Sequence, residues 1–183
     1  MSAHDKRLAI ISKIATEDKG LGKTAMMKYI YILQQVYKVP TGYDYEIYTY
    51  GPYSSEVAGD INLAADFNII EATYSSNHSG YELKPTSQTH ESIAKEKEFI
   101  NKYSDSISEV IKMFGSKTSK ELELSSTIIY TYSNRSFNER DTSIEEVAKD
   151  VKAIKPHFDN DIIKTEYMNL QSLGILEKSA LRM

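Results

Sequence analysis

The chain has 183 residues, of which 40% are hydrophobic and 26% are charged, and its formal net charge is −4. A domain of this length buries roughly 70% of the surface of its unfolded chain, so we expect an ordinary globular core. The absence of cysteine excludes disulfide scaffolds, cysteine nucleophiles and thiolate metal sites, and it fits the cytoplasm. The sequence contains no apolar run of the roughly 20 residues that span a bilayer and no secretion signal, so no membrane partner is expected.

The glycine-rich run Gly20–Thr24 resembles part of a phosphate-binding loop. Such a loop needs a first glycine separated by four residues from its Gly-Lys-Thr, and that position holds the acidic Glu17. The preceding segment, residues 6–15, has the apolar spacing of a helix instead of the buried strand that a P-loop follows. We therefore predict a turn that joins two helices, with Thr24 near the start of the second.

The second helix is predicted over residues 24–36, and a strand is predicted after it. The apolar residues of this helix are predicted to face the core, whereas Lys28, Gln34 and Gln35 are predicted to face water. Residues 43–50 alternate as a strand does, because aromatic and polar side chains take turns along them.

A third helix and a hairpin complete the first half of the chain. Ser54 or Ser55 can cap the helix, and Asn68 is a plausible left-handed stop at its end. Residues 69–85 contain two strand-like runs around the turn-forming sequence SSNHSG. Three helices and a hairpin in this order resemble a winged helix.

The second half repeats the helical part of this plan. Its predicted helices lie within residues 118–132, 142–156 and 160–178. Ser143 and Glu146 match a capping box at the start of the middle one. Gly174 closes the last helix, at a position equivalent to Asn68 when the two segments are aligned, so we predict a left-handed backbone at both residues.

Residues 87–114 connect the two halves and allow two interpretations. Apolar side chains recur every seven residues, which favours a coiled coil; they are Ile93, Ile100, Ile107 and Phe114. In the second interpretation, Ser104 and Glu109 form the N-terminal capping box of a new helix, and two helices pack on the same core.

The predicted fold is therefore mainly α with a small β hairpin or sheet. Its parts are a winged-helix-like half over residues 1–86, connecting helices over 87–116 and a helix-turn-helix-like half over 117–183, packed as one compact unit.

Residues 21–33 and 43–61 carry a resemblance to known proteins. The pattern is a helix containing Lys28 and Tyr31, an aromatic strand, Gly51-Pro52 and a serine-capped helix. It resembles YwgA-type uncharacterised bacterial and archaeal proteins and, more distantly, the Panacea antitoxin domain. The resemblance implies a winged-helix-like domain without a known active site, and Panacea domains bind and neutralise a toxin protein. This chain differs in having no tryptophan and 14 tyrosines, so a particular partner does not transfer.

The sequence indicates no catalytic, cofactor or metal site. Its histidines are scattered: His4, His78, His90 and His157. Paired carboxylates such as Glu145-Glu146 lie at helix starts, where the helix dipole favours them. Since no nucleophile elbow, metal motif or phosphate loop is found, we expect a protein that is not an enzyme.

Charge disfavours DNA as the partner. The candidate recognition helices, residues 54–67 and 158–173, are acidic, and duplex DNA requires basic residues. DNA binding would have to use the hairpin or the lysines at positions 19, 23 and 28.

The tyrosines of residues 43–53 are the strongest surface signal. If Ile47 faces the core, strand alternation turns Tyr48 and Tyr50 outward and Tyr43 and Tyr45 inward. These rings either cover the helices beneath them or form a partner-binding strip. The candidate strip consists of Glu46, Tyr48, Tyr50, Tyr53 and Glu56, and its carboxylates make it acidic.

The function expected from these observations is non-enzymatic protein binding in the cytoplasm. The protein would be an adaptor or a neutralising, antitoxin-like or defence-associated protein without a cofactor. The alternative is a winged-helix transcription regulator that binds DNA. The oligomeric state, including a homodimer, stays open.

Overall fold

The computed structural model describes residues 2–18, 20–75 and 80–180, and the fold is mainly helical with a small amount of antiparallel sheet. The helices of this part are α1 (Ala3–Glu17), α2 (Lys23–Gln35), α3 (Ser55–Asp66), α4 (Thr89–Lys95), α5 (Lys97–Phe114), α6 (Ser119–Phe137), α7 (Ile144–Ile154), α8 (Asn160–Ser172) and α9 (Ile175–Ala180). The strands are β1 (Leu21–Gly22), β2 (Glu46–Tyr48), β3 (Gly51–Tyr53), β4 (Ile70–Ser75) and β5 (Gly80–Pro85). Across these described ranges, every helix is too short or too polar to cross a bilayer.

The strands form two small antiparallel sheets. The first has the order β1-β5-β4, with Leu21 opposite Leu83. The second is the hairpin of β2 and β3. The glycine-rich run thus supplies an edge strand, which the sequence analysis did not predict, and then starts α2 with Thr24 in its first turn, as predicted.

The β4–β5 hairpin is confirmed, with Ile70 opposite Pro85 at its open end. Its turn, residues 76–79 with His78, lies outside the described residues.

Helix α2 is the centre of the core, and this overturns the prediction that Lys28 faces water. Every side chain from Met26 to Leu33 is buried, because α1, α3, α5 and α6 all pack around the helix. Lys28 is only 2% exposed. Its Nζ atom donates a hydrogen bond to the carbonyl of Pro52, 2.5 Å away, in place of water.

The end of α2 also explains why the predicted strand over residues 43–50 is shortened to Glu46–Tyr48. The Gln34 side chain donates to the Tyr43 carbonyl at 2.8 Å and accepts from the Tyr43 N–H at 2.9 Å. Both backbone groups of Tyr43 are therefore unavailable for a strand ladder. Gln34 and Gln35 do not simply face water as predicted, since Gln35 donates to the Ser179 carbonyl at 3.0 Å.

Helix α3 begins and ends as predicted. Ser54 is its N-cap, and the hydroxyl accepts a hydrogen bond from the Val57 N–H at 3.4 Å. Asn68 follows the helix with a φ of 55°, which is the predicted left-handed stop.

The connecting segment forms two helices, but they meet at Glu96 and the predicted capping box at Ser104 is wrong. Helix α5 runs without interruption through Ser104, because Ile100 and Ile107 face the core of the same chain and packing outweighs a local capping signal.

The second half contains the three predicted helices as α6, α7 and α8. The predicted capping box of α7 is wrong, because the Ser143 hydroxyl donates to Asp141 at 3.0 Å and makes no cap bond. Gly174 has the predicted left-handed φ, 66°. Gly174 and Asn68 share this backbone conformation, but the elements that follow them differ, because Ile70 starts a strand and Ile175 starts a helix.

Two glycines with positive φ should respond differently to alanine. A Cβ atom on Gly51 (φ +88°) would lie 3.0 Å from Thr127 Oγ1 and 3.1 Å from Ser126 Oγ, whereas one on Gly174 (φ +66°) would have no atom within 4 Å. We expect Gly174→Ala to lower the unfolding free energy by about 1 kcal/mol and Gly51→Ala by about 2 kcal/mol or more. Chemical denaturation of both variants measures this, and equal losses would contradict the close packing at Gly51.

Candidate functional site

The β2–β3 hairpin presents a group of tyrosines at the surface. Tyr48 and Tyr50 are 62% and 63% exposed, while Tyr53 is half-buried. The ring centroids of Tyr48 and Tyr53 are 5.6 Å apart, because both side chains lie on the same face of the hairpin. Tyr43 is buried and its hydroxyl donates to Asp60 at 2.7 Å. The predicted outward and inward sides are thus confirmed, although the strand is shorter than predicted.

Two buried lysines from different halves of the chain hold this hairpin. Lys28 comes from α2 and donates to the carbonyl of Pro52. Lys155 follows α7, is 4% exposed, and donates to the carbonyls of Tyr48, at 2.8 Å, and Thr49. The hairpin thereby joins the N-terminal helices to the C-terminal ones.

Glu123 of α6 supplies the negative charge beside these lysines. Its Oε1 atom lies 3.1 Å from Lys155 Nζ, as a charge contact without the alignment of a hydrogen bond. His157 Nε2 is 3.5 Å from the same oxygen, and the His157 side chain is 48% exposed. One buried carboxylate thus pairs with Lys155 and also acts electrostatically on Lys28.

Burial sets the protonation of Lys28. Removal from water disfavours the charged form and lowers the pKa of Lys28 to about 8; the charge of Lys155 lowers it further and that of Glu123 raises it. Lys28 is therefore mostly charged at neutral pH and loses its proton just above it.

A groove lies between the hairpin and helices α2 and α3, and we call it the tyrosine groove. Its volume is about 330 Å³, at the small end of the range for ligand pockets. The lining residues are Lys23, Thr24, Met27, Lys28, Tyr48, Tyr50, Gly51, Tyr53, Ala58, Ile61 and Asn62. Within this lining, the Nζ atom of Lys23 on α2 donates to Asn62 Oδ1 on α3 at 2.8 Å.

The structure brings together some of the residues proposed from the sequence and separates others. Tyr48, Tyr50 and Tyr53 all line the tyrosine groove. Glu46 and Glu56 are exposed but do not belong to its lining, and Glu56 pairs with Arg7 at 3.3 Å. The carboxylates of the candidate strip thus lie beside the groove.

The lysines that could have served DNA do not form one exposed face. Lys28 is buried, Lys23 is bonded to Asn62, and Lys19 lies outside the described residues. Within the ranges 2–18, 20–75 and 80–180, His, Cys, Asp and Glu form no group of three that could hold a metal ion.

Sequence reasoning missed Lys155 and Glu123, and it assigned Lys28 to water. A signal for Lys28 was present, because the segment AMMKYIYIL is apolar on all sides of a helix, which is typical of a buried helix. For Lys155 and Glu123 the local sequence gives no such signal, since their acceptors and partners come from distant segments.

Comparison of the chain with protein-family models, curated proteins and solved structures gave no match. The geometry of the tyrosine groove is therefore the basis for assigning a function.

The lowered pKa of Lys28 predicts an unusual pH dependence of stability. The pKa is about 8 in the folded state and near 10.5 in the unfolded state. Between these values the unfolded chain binds more protons, so the unfolding free energy should rise with pH. We expect Lys28 to contribute a gain of about 1 kcal/mol from pH 8 to 9. Above pH 9 the tyrosines of the unfolded chain begin to lose protons, and because burial raises the pKa of tyrosines such as Tyr43 and Tyr45 in the folded state, their ionisation offsets the gain.

Denaturation curves across this range measure the effect in wild type and in Lys28→Met. The gain should vanish in Lys28→Met and persist in Lys149→Met, which replaces a lysine whose side chain is 75% exposed. An equal pH dependence in wild type and Lys28→Met would contradict the assigned protonation of Lys28.

Proposed function

We propose that this protein is a non-enzymatic cytoplasmic protein that binds another protein through the tyrosine groove. The observation that carries the proposal is the pair of exposed rings, Tyr48 and Tyr50, beside an apolar groove. Tyrosine contributes large contact area and a hydroxyl at little entropic cost, and it is enriched in binding hot spots. The protein would act as an adaptor or as a neutralising, antitoxin-like partner.

The anchoring of the hairpin supports this proposal. Its carbonyls are held by Lys28 and Lys155, and Gly51 packs against α6. A surface that is already ordered loses little conformational entropy on binding, so more of the contact energy appears as affinity. Exposed aromatic rings on such a support are suited to act as anchors for a partner.

The element order supports a winged-helix-like first half. Helix, strand, two helices and a two-stranded hairpin follow one another as α1, β1, α2, α3, β4 and β5, with the sheet order β1-β5-β4. The hairpin of β2 and β3 is inserted between α2 and α3. This order agrees with the resemblance to YwgA-type and Panacea domains, and neutralisation of a toxin is the activity that this resemblance implies.

Winged helices also bind DNA, so a transcription regulator is the alternative that the experiment must separate. Helix α3 carries acidic residues and no lysine or arginine, and Asp60 on it is engaged by Tyr43. Phosphate contacts require clustered basic side chains, which this helix does not provide.

The test compares Tyr48→Ala/Tyr50→Ala with Tyr74→Ala, a matched control because Tyr74 is 64% exposed on β4. The immobilised chain is used to capture a partner from a lysate of its own organism. We expect wild type and Tyr74→Ala to retain the partner, and the double variant to bind it about 30-fold more weakly with an unchanged melting temperature.

Equal capture by all three proteins, or loss of folding in the double variant, would contradict the proposal. Retention on a DNA column that falls steeply with salt and does not depend on Tyr48 and Tyr50 would favour the regulator.

A further inference from the structure

The charges of the tyrosine groove indicate the chemistry of its partner. We infer that the groove takes an acidic segment of the partner protein, in which an apolar side chain is flanked by a carboxylate. This inference rests on the proposed function and adds the class of segment to it.

The charge of the groove is positive, whereas the net charge of the whole chain is negative. The protein has 26 acidic and 22 basic residues, yet Lys23 and Lys28 are the charged side chains among the lining residues. Of the nearby carboxylates, Glu56 pairs with Arg7 and Asp60 accepts from Tyr43, while Glu46 is exposed on the hairpin outside the groove lining. A partner segment in the groove therefore meets positive charge.

Lys23 makes no ion pair within 4 Å in the described part of the chain. Its Nζ atom donates to the Asn62 amide oxygen at 2.8 Å and lies 4.4 Å from the ring centroid of Tyr81. Both partners are uncharged groups. A carboxylate that reaches Lys23 would therefore meet an ammonium group without an ion-pair partner within 4 Å among the described residues.

The lysines beneath the hairpin add to this positive charge. Among the described residues, Glu123 is the carboxylate that pairs with Lys155 and acts on Lys28, so two protonated lysines leave an excess of one positive charge in this cluster. A charge under an apolar surface is weakly screened, so it attracts anions more strongly than a charge in water.

The rest of the lining selects an apolar side chain. Met27 of α2 and Ile61 of α3 are buried apolar residues, and Ala58 of α3 is a further apolar residue of the lining. A volume of about 330 Å³ suits the anchoring side chain of a short segment. An apolar anchor with a neighbouring carboxylate satisfies both features of the groove.

The inference is tested by selecting peptides from a random displayed library on the full chain, with Tyr48→Ala/Tyr50→Ala as the counter-selecting protein. Peptides that require the tyrosines should carry Asp or Glu beside a large apolar residue. For one such peptide, we expect Lys23→Gln to weaken binding about tenfold, and replacement of its acid by the amide to do the same.

A double-mutant cycle separates direct contact from general effects. The amide peptide should be insensitive to Lys23→Gln, and Lys149→Gln should change neither affinity. Peptides that need the tyrosines but contain no acid, or whose acid is not coupled to Lys23, would overturn the inference and leave the proposed function standing. A selection with no tyrosine-dependent peptide would overturn both.

Discussion

A buried ammonium group must find hydrogen-bond acceptors or the fold loses several kcal/mol, and this constraint organises the molecule. Lys28 and Lys155 satisfy it with backbone carbonyls of one short hairpin. Because the first lysine belongs to the N-terminal helices and the second to the C-terminal ones, the hairpin joins the two halves. Glu123 supplies the opposite charge that makes two lysines tolerable in one place.

The same contacts give the surface its properties. Because Lys28 and Lys155 bind carbonyls of the hairpin, the exposed Tyr48 and Tyr50 belong to a segment that is anchored to the core. The tyrosine groove forms where this support meets α2 and α3, and its lining combines apolar side chains with lysine charge. The binding role proposed for the tyrosines thus depends on the structural role of the lysines.

Local patterns predicted the helices well and the special contacts poorly. Apolar spacing located α1, α2, α3 and the three helices α6 to α8, and left-handed stops were identified at Asn68 and Gly174, because these features depend on nearby residues. The short strand β2 and the buried state of Lys28 depend on distant partners, which periodicity does not contain. The outward side of Tyr48 followed from strand alternation, whereas Tyr50 is exposed because it lies in the turn after β2. The groove required the packing of the hairpin against α2 and α3.

Hydrogen exchange of the hairpin amides tests the central claim most directly. The exchange rates of residues 46–53 are measured in wild type, Lys28→Met, Lys155→Met and the surface control Lys149→Met. We expect both buried-lysine variants to exchange at least about tenfold faster in this segment, while β4 and β5 keep their rates, because only the hairpin loses its anchors. Unchanged exchange at residues 46–53, or equal acceleration throughout the chain, would contradict the claim that the two lysines hold the tyrosine hairpin in place.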